Sequence, residues 1–235
     1  MTSTSAPQPT GRPECPKPPA ARTFPVHHHP TSSAPAPQVR LETLLVRSGT
    51  GTDPATGAIT TPIHLSTAYG HPGLGESTGY DYTRTASPTR DVLQDALARL
   101  EGGTAAFALS SGMAALELVT RTLAPHGSRI VALRDLYGGS FRFLEVLAEE
   151  GAADVDFVLG IKGLREALAA PADLVIIETP TNPMMEEIPI PEAAELARAA
   201  GARLVVDNTF YTPVVQRPLE LGADVVVHSG TKYLG

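Results

Sequence analysis

From about residue 88 onward, two hydrophobic rhythms alternate along the chain. In SPTRDVLQDALARLEGG the apolar positions recur with helical spacing: Val92, Leu93, Ala96, Leu97 and Leu100 share one face. Ser87 stands at the N-cap position, Pro88 at the first helical position, and Gly102 just past the end, so the pattern predicts a helix with both boundaries marked. TAAFAL then predicts a strand, followed by a tight SSG turn and a helix, GMAALELVTRTL, stopped by Pro125. The alternation continues through strand RIVAL, a helix from GGSFRFLEVLAEE, strand DVDFVL, helix LREALAA, strand LVIIE, helix PEAAELARAAG, and strands RLVVD and DVVVH. Strands that are apolar throughout, separated by amphipathic helices, predict an α/β fold: a mostly parallel sheet with helices on both faces. There is no internal repeat.

Upstream the rhythm dissolves. Ten of the 22 prolines precede Val39, among Ser, Thr and Ala with almost no large apolar residues. Such a segment cannot bury enough surface to offset its ordering entropy, so residues 1–38 are expected to be a disordered Pro-rich tail. It has no apolar h-region of a secretory signal, and its prolines argue against the amphipathic helix of a mitochondrial transit peptide. An overextended start codon is the bland explanation. His27, His28 and His29 could bind a metal, but a solvated polar tract without fixed geometry is the favoured reading.

Composition narrows the classes further. The chain carries 18 basic and 25 acidic residues, a net charge of −7, which leaves no basic footprint for nucleic acid or anionic membrane. No stretch is apolar enough to span a bilayer. The single Cys15 excludes an internal disulfide framework and a cysteine-based zinc site, so a reducing, cytoplasmic location is expected.

In parallel sheets ligands collect at the carboxyl ends of the strands. There the sequence places Ser110-Ser111-Gly112-Met113, Asp135-Leu136-Tyr137-Gly138-Gly139, Glu178-Thr179-Pro180-Thr181-Asn182-Pro183, Asp207-Asn208-Thr209 and His228-Ser229-Gly230-Thr231-Lys232. SSGM lets backbone approach a ligand and offers helix N-terminal N–H groups to an anion, though alone it is equally a plain tight turn. Ser229 and Thr231 could add hydroxyls to the same anion. Asp207, at the tip of a strand, is either a cap or a functional carboxylate. Lys232 taken singly reads as a surface lysine. Emerging from VVVHSGT it is expected to be partly desolvated, which makes its amine a nucleophile toward aldehydes. Together, an anion nest, an imine-forming lysine, a carboxylate able to keep a ring nitrogen protonated and an aromatic to stack describe a pyridoxal 5'-phosphate (PLP) site. Tyr137, followed by two glycines, is the stacking candidate; otherwise it is an ordinary core or rim tyrosine.

The motifs TPIHLSTAY, YDYTRTASPTR, SSGMAA, DLYGG, ETPTNP, VVDNTF and QRPLELGADVVVHSGTKYLG, in this order, resemble the trans-sulfuration (Cys/Met metabolism) PLP-dependent enzymes over roughly Leu41 to Gly235. The resemblance implies the large domain of the fold-type-I PLP-dependent transferases. It implies Lys232 as the lysine that holds the cofactor and moves protons on the substrate, Asp207 against the pyridine nitrogen, and Tyr137 stacked on the ring. Gly112, Met113, Ser229 and Thr231 are implied for the phosphate, Asn182 for the ring hydroxyl, and Thr209 as a further cofactor contact. Tyr82 and Arg84 match a pair that reaches the neighbouring subunit's phosphate site. The expected organisation is therefore the tail, an arm of residues 39–87 serving a neighbour in a dimer of dimers, and an incomplete cofactor-binding domain, residues 88–235.

Three departures from the family pattern stand out. Ser87 replaces an Asn that would cap equally well, and Gly230 replaces an Ala before the Thr-Lys pair. Family chains also continue past the lysine into a smaller C-terminal domain that carries the arginine gripping the substrate carboxylate. The sequence is accordingly expected to be C-terminally truncated and inefficient by itself. GHPGLGESTGYDYTRT and NTFYTPVVQRPLELGADVVVHS resemble the cystathionine γ-synthase and O-acetylhomoserine thiol-transfer branch. That implies γ-replacement on an O-acylhomoserine by cysteine or sulfide, with small amino acids as substrates. A cystathionine or methionine lyase and an inactive, partner-binding remnant are the alternatives. A dinucleotide-binding domain is disfavoured, because GTGTDP puts Pro54 where the last glycine should be and no strand precedes it.

Overall fold

Five strands built from β-branched and leucine-rich runs pair side by side in the order β2-β1-β3-β4-β5, every neighbour parallel. The structure, a computed structural model, describes residues 39–234 apart from Thr52 and Pro54. The expected tail of residues 1–38, with His27, His28 and His29, lies outside the described residues, as do two positions of the GTGTDP stretch.

The elements are α1 (Leu41–Arg47), α2 (Pro88–Glu101), α3 (Gly112–Leu123), β1 (Ser128–Leu133), α4 (Gly138–Glu149), β2 (Ala153–Val158), α5 (Gly160–Ala167), β3 (Leu174–Glu178), α6 (Ile190–Ala199), β4 (Arg203–Asp207), α7 (Thr212–Val215) and β5 (Val225–Val227). The continuous apolar runs of β1, β3 and β4 are central and wholly buried: Ile130, Val131, Leu174, Ile177, Leu204 and Val206 expose nothing. β2 and β5 flank them and are only partly buried. That is the pattern of a parallel sheet covered on two faces. The connection from β1 runs outward to β2, whereas the connections from β2 onward run the other way. With crossovers of one hand, α4 and the pair α5 and α6 fall on opposite faces, and α5 accordingly packs on α6 while α4 packs on α3.

The predicted α2 is found with Ser87 at the N-cap, Pro88 in the first turn and Gly102 left-handed at φ 72°. Ser87 does not cap with its side chain; it is buried, and its carbonyl accepts from the Asp91 N–H at 2.9 Å. Leu93, assigned to the apolar face, is half exposed. The strand expected in TAAFAL does not form. Its backbone has no strand partner among the described residues; the Ala108 N–H bonds instead to Gln94 Oε1 at 3.0 Å, and Phe107 is three-quarters exposed. The apolar spacing was strand-like, but a strand exists only where a neighbour takes up its hydrogen bonds. Residues 39–87 hold α1 and two isolated bridges, Thr50 with Thr60 and Ala68 with Tyr82.

At the amino ends of the strands, Arg129 ties the sheet together. Its guanidinium donates to Asp156 Oδ2 on β2 (2.5 and 3.0 Å) and to the carbonyls of Ala167, Ala170 and Pro171, while its N–H donates to Asp173 Oδ2. Arg129→Ala strands three carbonyls and a carboxylate at once. It is expected to lower the unfolding free energy by about 2–3 kcal/mol in a urea titration without changing the m-value.

Candidate active site

Because the strands are parallel, their carboxyl ends share one edge, and the chain reverses its direction of winding between β1 and β3. That is where a crevice opens in such sheets. Two hydrogen bonds span it. The Tyr137 N–H, following β1, donates to Glu178 Oε2 at the tip of β3 (2.5 Å), and Thr181 Oγ1 donates to Asp135 Oδ2 (2.5 Å). Tyr137 occupies the N-cap position of α4, and its ring lies tight over the helix start. A Cβ at Gly139 would sit 2.5 Å from Tyr137 Cε1 and 3.0 Å from Met113 Sδ, so glycine is required there, and Tyr137 and Met113 meet at one point. Tyr137 itself is 47% exposed, its ring open to a ligand.

Asp207 ends β4, in register with Glu178 on one side and Val227 on the other. Its Oδ1 accepts from both the Thr209 N–H (3.0 Å) and Thr209 Oγ1 (2.5 Å), and Thr209 Oγ1 in turn accepts from the Ser229 N–H (2.9 Å). One hydroxyl therefore joins the exits of β4 and β5. Burial pushes the Asp207 carboxyl up, while the Thr209 bonds and the nearby His228 hold it down. Across from Ser229 lies the start of α3. The Ser111 side chain caps it by accepting from the Ala114 N–H at 3.1 Å, and the N–H groups of Gly112 and Met113 have no protein partner among the described residues. A Cβ at Gly112 would fall 2.9 Å from Ser229 Cβ, so the absence of a side chain is what lets the helix end and the serine lie together.

Gly112, Met113, Tyr137, Asp207, Thr209 and Ser229 thus form one assembly. Asn182, half-buried, follows Thr181 on the same edge, and its side chain has no hydrogen-bond partner among the described residues. Thr231 and Lys232 occur in an exposed turn closed by the Lys232 N–H to the Ser229 carbonyl at 3.1 Å. The shelter expected for Lys232 is absent: the sheet ends at Val227, and only the lysine's backbone is tied down, so its side chain stands in solvent. Tyr82 and Arg84 are also exposed. The guanidinium stacks on the Tyr82 ring at 5.0 Å, and neither residue hydrogen-bonds to the strand-end assembly.

Two features of the candidate site have little or no sequence signal. Glu178 reads in the sequence only as a strand-end residue, yet it is buried and its carboxyl is pushed up to about 8. Burial is the main cause and the charges of Asp207 and Asp135 add to it, while the Tyr137 N–H opposes. The only available signal was an acid closing a wholly apolar strand. The second is the pairing of His228 Nε2 with Glu101 Oε1 at 2.5 Å, both side chains buried, across 127 residues of sequence. No local pattern announces such a pair.

The family model described as Cys/Met metabolism PLP-dependent enzyme matches residues 42–235. Among curated relatives, a cystathionine gamma-synthase of Haemophilus influenzae is 46% identical over 200 residues, covering 84% of this chain and 54% of its own length. A cystathionine beta-lyase of Lactococcus lactis is 41% identical, covering 83% of this chain and 52% of its own. A solved cystathionine gamma synthase from Xanthomonas oryzae superposes with a TM-score of 0.81 at 42% identity, over 83% of this chain and 51% of that one. The chain spans about half the length of the curated relatives it matches.

Glu178 makes stability pH-dependent with a defined sign. In the unfolded chain it ionises near 4.5, in the folded chain near 8. The stability this group contributes is complete below pH 4.5 and is lost as the pH climbs toward 8. Glu178→Gln, which cannot ionise and keeps an acceptor for the Tyr137 N–H, is expected to match the parent at pH 4.5. By pH 7 it should exceed the parent by roughly 2–3 kcal/mol in denaturant titrations.

Proposed function

Because the chain belongs to the Cys/Met metabolism PLP-dependent enzyme family, we propose that it serves a PLP-dependent γ-replacement. In this reaction the Cγ–O bond of an O-acylhomoserine breaks, the acyloxy group leaves as a carboxylate, and the sulfur of cysteine or sulfide bonds to Cγ in its place and gives up its proton, in cytoplasmic sulfur amino-acid metabolism. The observation that carries the cofactor part of this reading is the strand-end assembly, in which Thr209 links Asp207 to Ser229 and Gly112 closes on Ser229. Its donor set fits PLP: two free helix N-terminal N–H groups and a serine hydroxyl for a phosphate, a buried carboxylate for a ring nitrogen, and an open aromatic face.

When bound, PLP supplies an aldehyde for an amine and an electron-withdrawing ring that stabilises negative charge on the substrate. In this proposal the residues divide the work as follows. Lys232 Nζ would hold the cofactor by its aldehyde and would take and return protons at the substrate's carbons. Its exposed position leaves the four-carbon stem free to swing over the edge. Asp207 keeps the ring nitrogen protonated. Its Oδ1 is committed to Thr209, whereas Oδ2 bonds no group among the described residues and is the oxygen available. Gly112 and Met113 through their N–H groups, with the hydroxyls of Ser229 and Thr231, bind the phosphate. Tyr137, its backbone held by Glu178, would stack on the ring, and Asn182 would serve the ring hydroxyl. Tyr82 and Arg84, exposed and stacked on one another, are proposed to complete the phosphate site of a neighbouring subunit in a dimer of dimers. None of the helices among the described residues is long and apolar enough to cross a membrane.

The synthase direction is favoured by the higher identity to a synthase, 46%, than to a lyase, 41%. Lyases remain the second reading, since the same residues would serve an elimination.

Borohydride reduction of the PLP-loaded chain, followed by peptide mass spectrometry, is expected to put the pyridoxyl mass on Lys232 and to leave Lys232→Ala unlabelled. Label on Lys162, or on no lysine, would sink the cofactor assignment. Gly112→Ala, whose methyl group would overlap Ser229, is expected to weaken PLP binding about tenfold or more while unfolding cooperatively. With O-acetylhomoserine and cysteine as substrates, cystathionine should accumulate. Faster release of ammonia and keto acid from cystathionine would favour the lyase reading instead.

A further inference from the structure

The segment that carries Ser229, Thr231 and Lys232 leaves the sheet after only three paired residues. β5 pairs with β4 through Val225, Val226 and Val227, and with no other strand among the described residues. Beyond Val227 three hydrogen bonds and one ring contact hold it: the Ser229 N–H to Thr209, the turn bond from Lys232 to Ser229, His228 Nε2 to Glu101 Oε1 at 2.5 Å, and the Tyr233 ring edge-on to Phe210 at 6.1 Å. The bond to Glu101 is the one of these that reaches beyond β4, β5 and the residues that directly follow them. Glu101 is the last residue of α2, the helix closed by left-handed Gly102.

As a device for stability this pair is poorly made. The two side chains are 4% and 9% exposed, and Glu101 Oε2 and His228 Nδ1 are buried without partners. A buried polar pair with two unmet atoms contributes less than a well-packed apolar pair of the same volume. What the pair does supply is position. Ser229 lies so close to the start of α3 that a methyl group at Gly112 would overlap it, and its N–H depends on Thr209 Oγ1, which is bonded to Asp207. Small displacements of residue 228 therefore reach both the anion nest and the carboxylate.

We infer that Glu101 and His228 are a positioning pair: the α2 carboxylate grips the imidazole and fixes the 229–232 turn against the α3 N-terminus and Asp207, so that the cofactor's phosphate and aldehyde are met by hydroxyls and amine in one register. This rests on the PLP reading and deepens it. Neither residue touches the cofactor; they act through Ser229 and the turn. One hydrogen is shared between His228 Nε2 and Glu101 Oε1, and the bond ties the imidazole to the end of α2.

Two variants separate position from stability. Glu101→Gln keeps an acceptor oxygen for His228, and Glu101→Leu with His228→Leu replaces the pair by apolar groups. Three quantities are read on each: the unfolding midpoint, hydrogen–deuterium exchange of peptides spanning residues 225–234, and PLP affinity from the absorption of the bound cofactor. The double variant is expected to keep or raise the midpoint. It should exchange faster at 225–234 alone and bind PLP about tenfold more weakly or worse. Glu101→Gln should remain within about threefold of the parent in affinity. The inference is overturned if the double variant matches the parent in local exchange and affinity, if its protection falls throughout the molecule, or if it fails to fold. Loss in Glu101→Gln as large as in the double variant also overturns it. Exchange needs no cofactor: a parent chain that takes up no PLP sinks the cofactor reading, and the exchange arm still judges the pair.

Discussion

One hydroxyl group, Thr209 Oγ1, organises the carboxyl edge of the sheet. It donates to Asp207 at the end of β4 and accepts from the Ser229 N–H beyond β5. A parallel sheet guarantees that strand ends share an edge, but not that the residues past those ends keep fixed relations. Once out of the ladder, each needs its own partner. Thr209 provides that partner in both directions, and the missing side chain at Gly112 lets α3 close on the same point. The assembly is thus held by contacts between loop residues, while the buried strands behind it, Leu204 to Val206 and Leu174 to Ile177, supply the rigidity.

The electrostatics of the edge follow from this architecture. Asp135, Glu178 and Asp207 emerge from three adjacent strands, two of them in direct register. Burial resists charging Glu178 and Asp207 alike, and the two sites differ in their answers. Burial outweighs the opposing donors at both, so each carboxyl is pushed up; two Thr209 donors and His228 oppose it at Asp207, and a single backbone N–H opposes it at Glu178, whose carboxyl also feels both neighbouring acids. Glu178 braces Tyr137 through that N–H, so the aromatic face and the strand-end carboxyls belong to a single row of acids.

Most of this was legible in the sequence because its signals are local. Alternating apolar runs and amphipathic helices predicted every strand of the sheet and the helices α2 to α6. The placement of Tyr137, Asp207, Thr209 and Ser229 on one edge follows from strand direction, whereas Gly112 and Met113 reach that edge although the strand expected before them does not form. What failed was what depends on partners. TAAFAL has a strand's composition and no strand beside it; Ser87 has a capping side chain that does not cap; Lys232 was expected to be sheltered by its apolar approach, yet the shelter ends two residues into the turn, because Val227 is the last residue in the ladder. The Glu101–His228 contact, across 127 residues, had no sequence signal at all. The family motifs supplied residue roles that spacing could not.

The short pairing of β5 has a consequence for how the molecule endures. An outer strand of three residues, hydrogen-bonded on one flank, is the part of a sheet that opens at the least cost, well before the central ladder yields. A ligand that clasps residues on both sides of that opening shuts it by mass action, in proportion to the logarithm of its free concentration. A cofactor seated at that edge would therefore make the resistance of β5 to proteases depend on how much of it is free in solution.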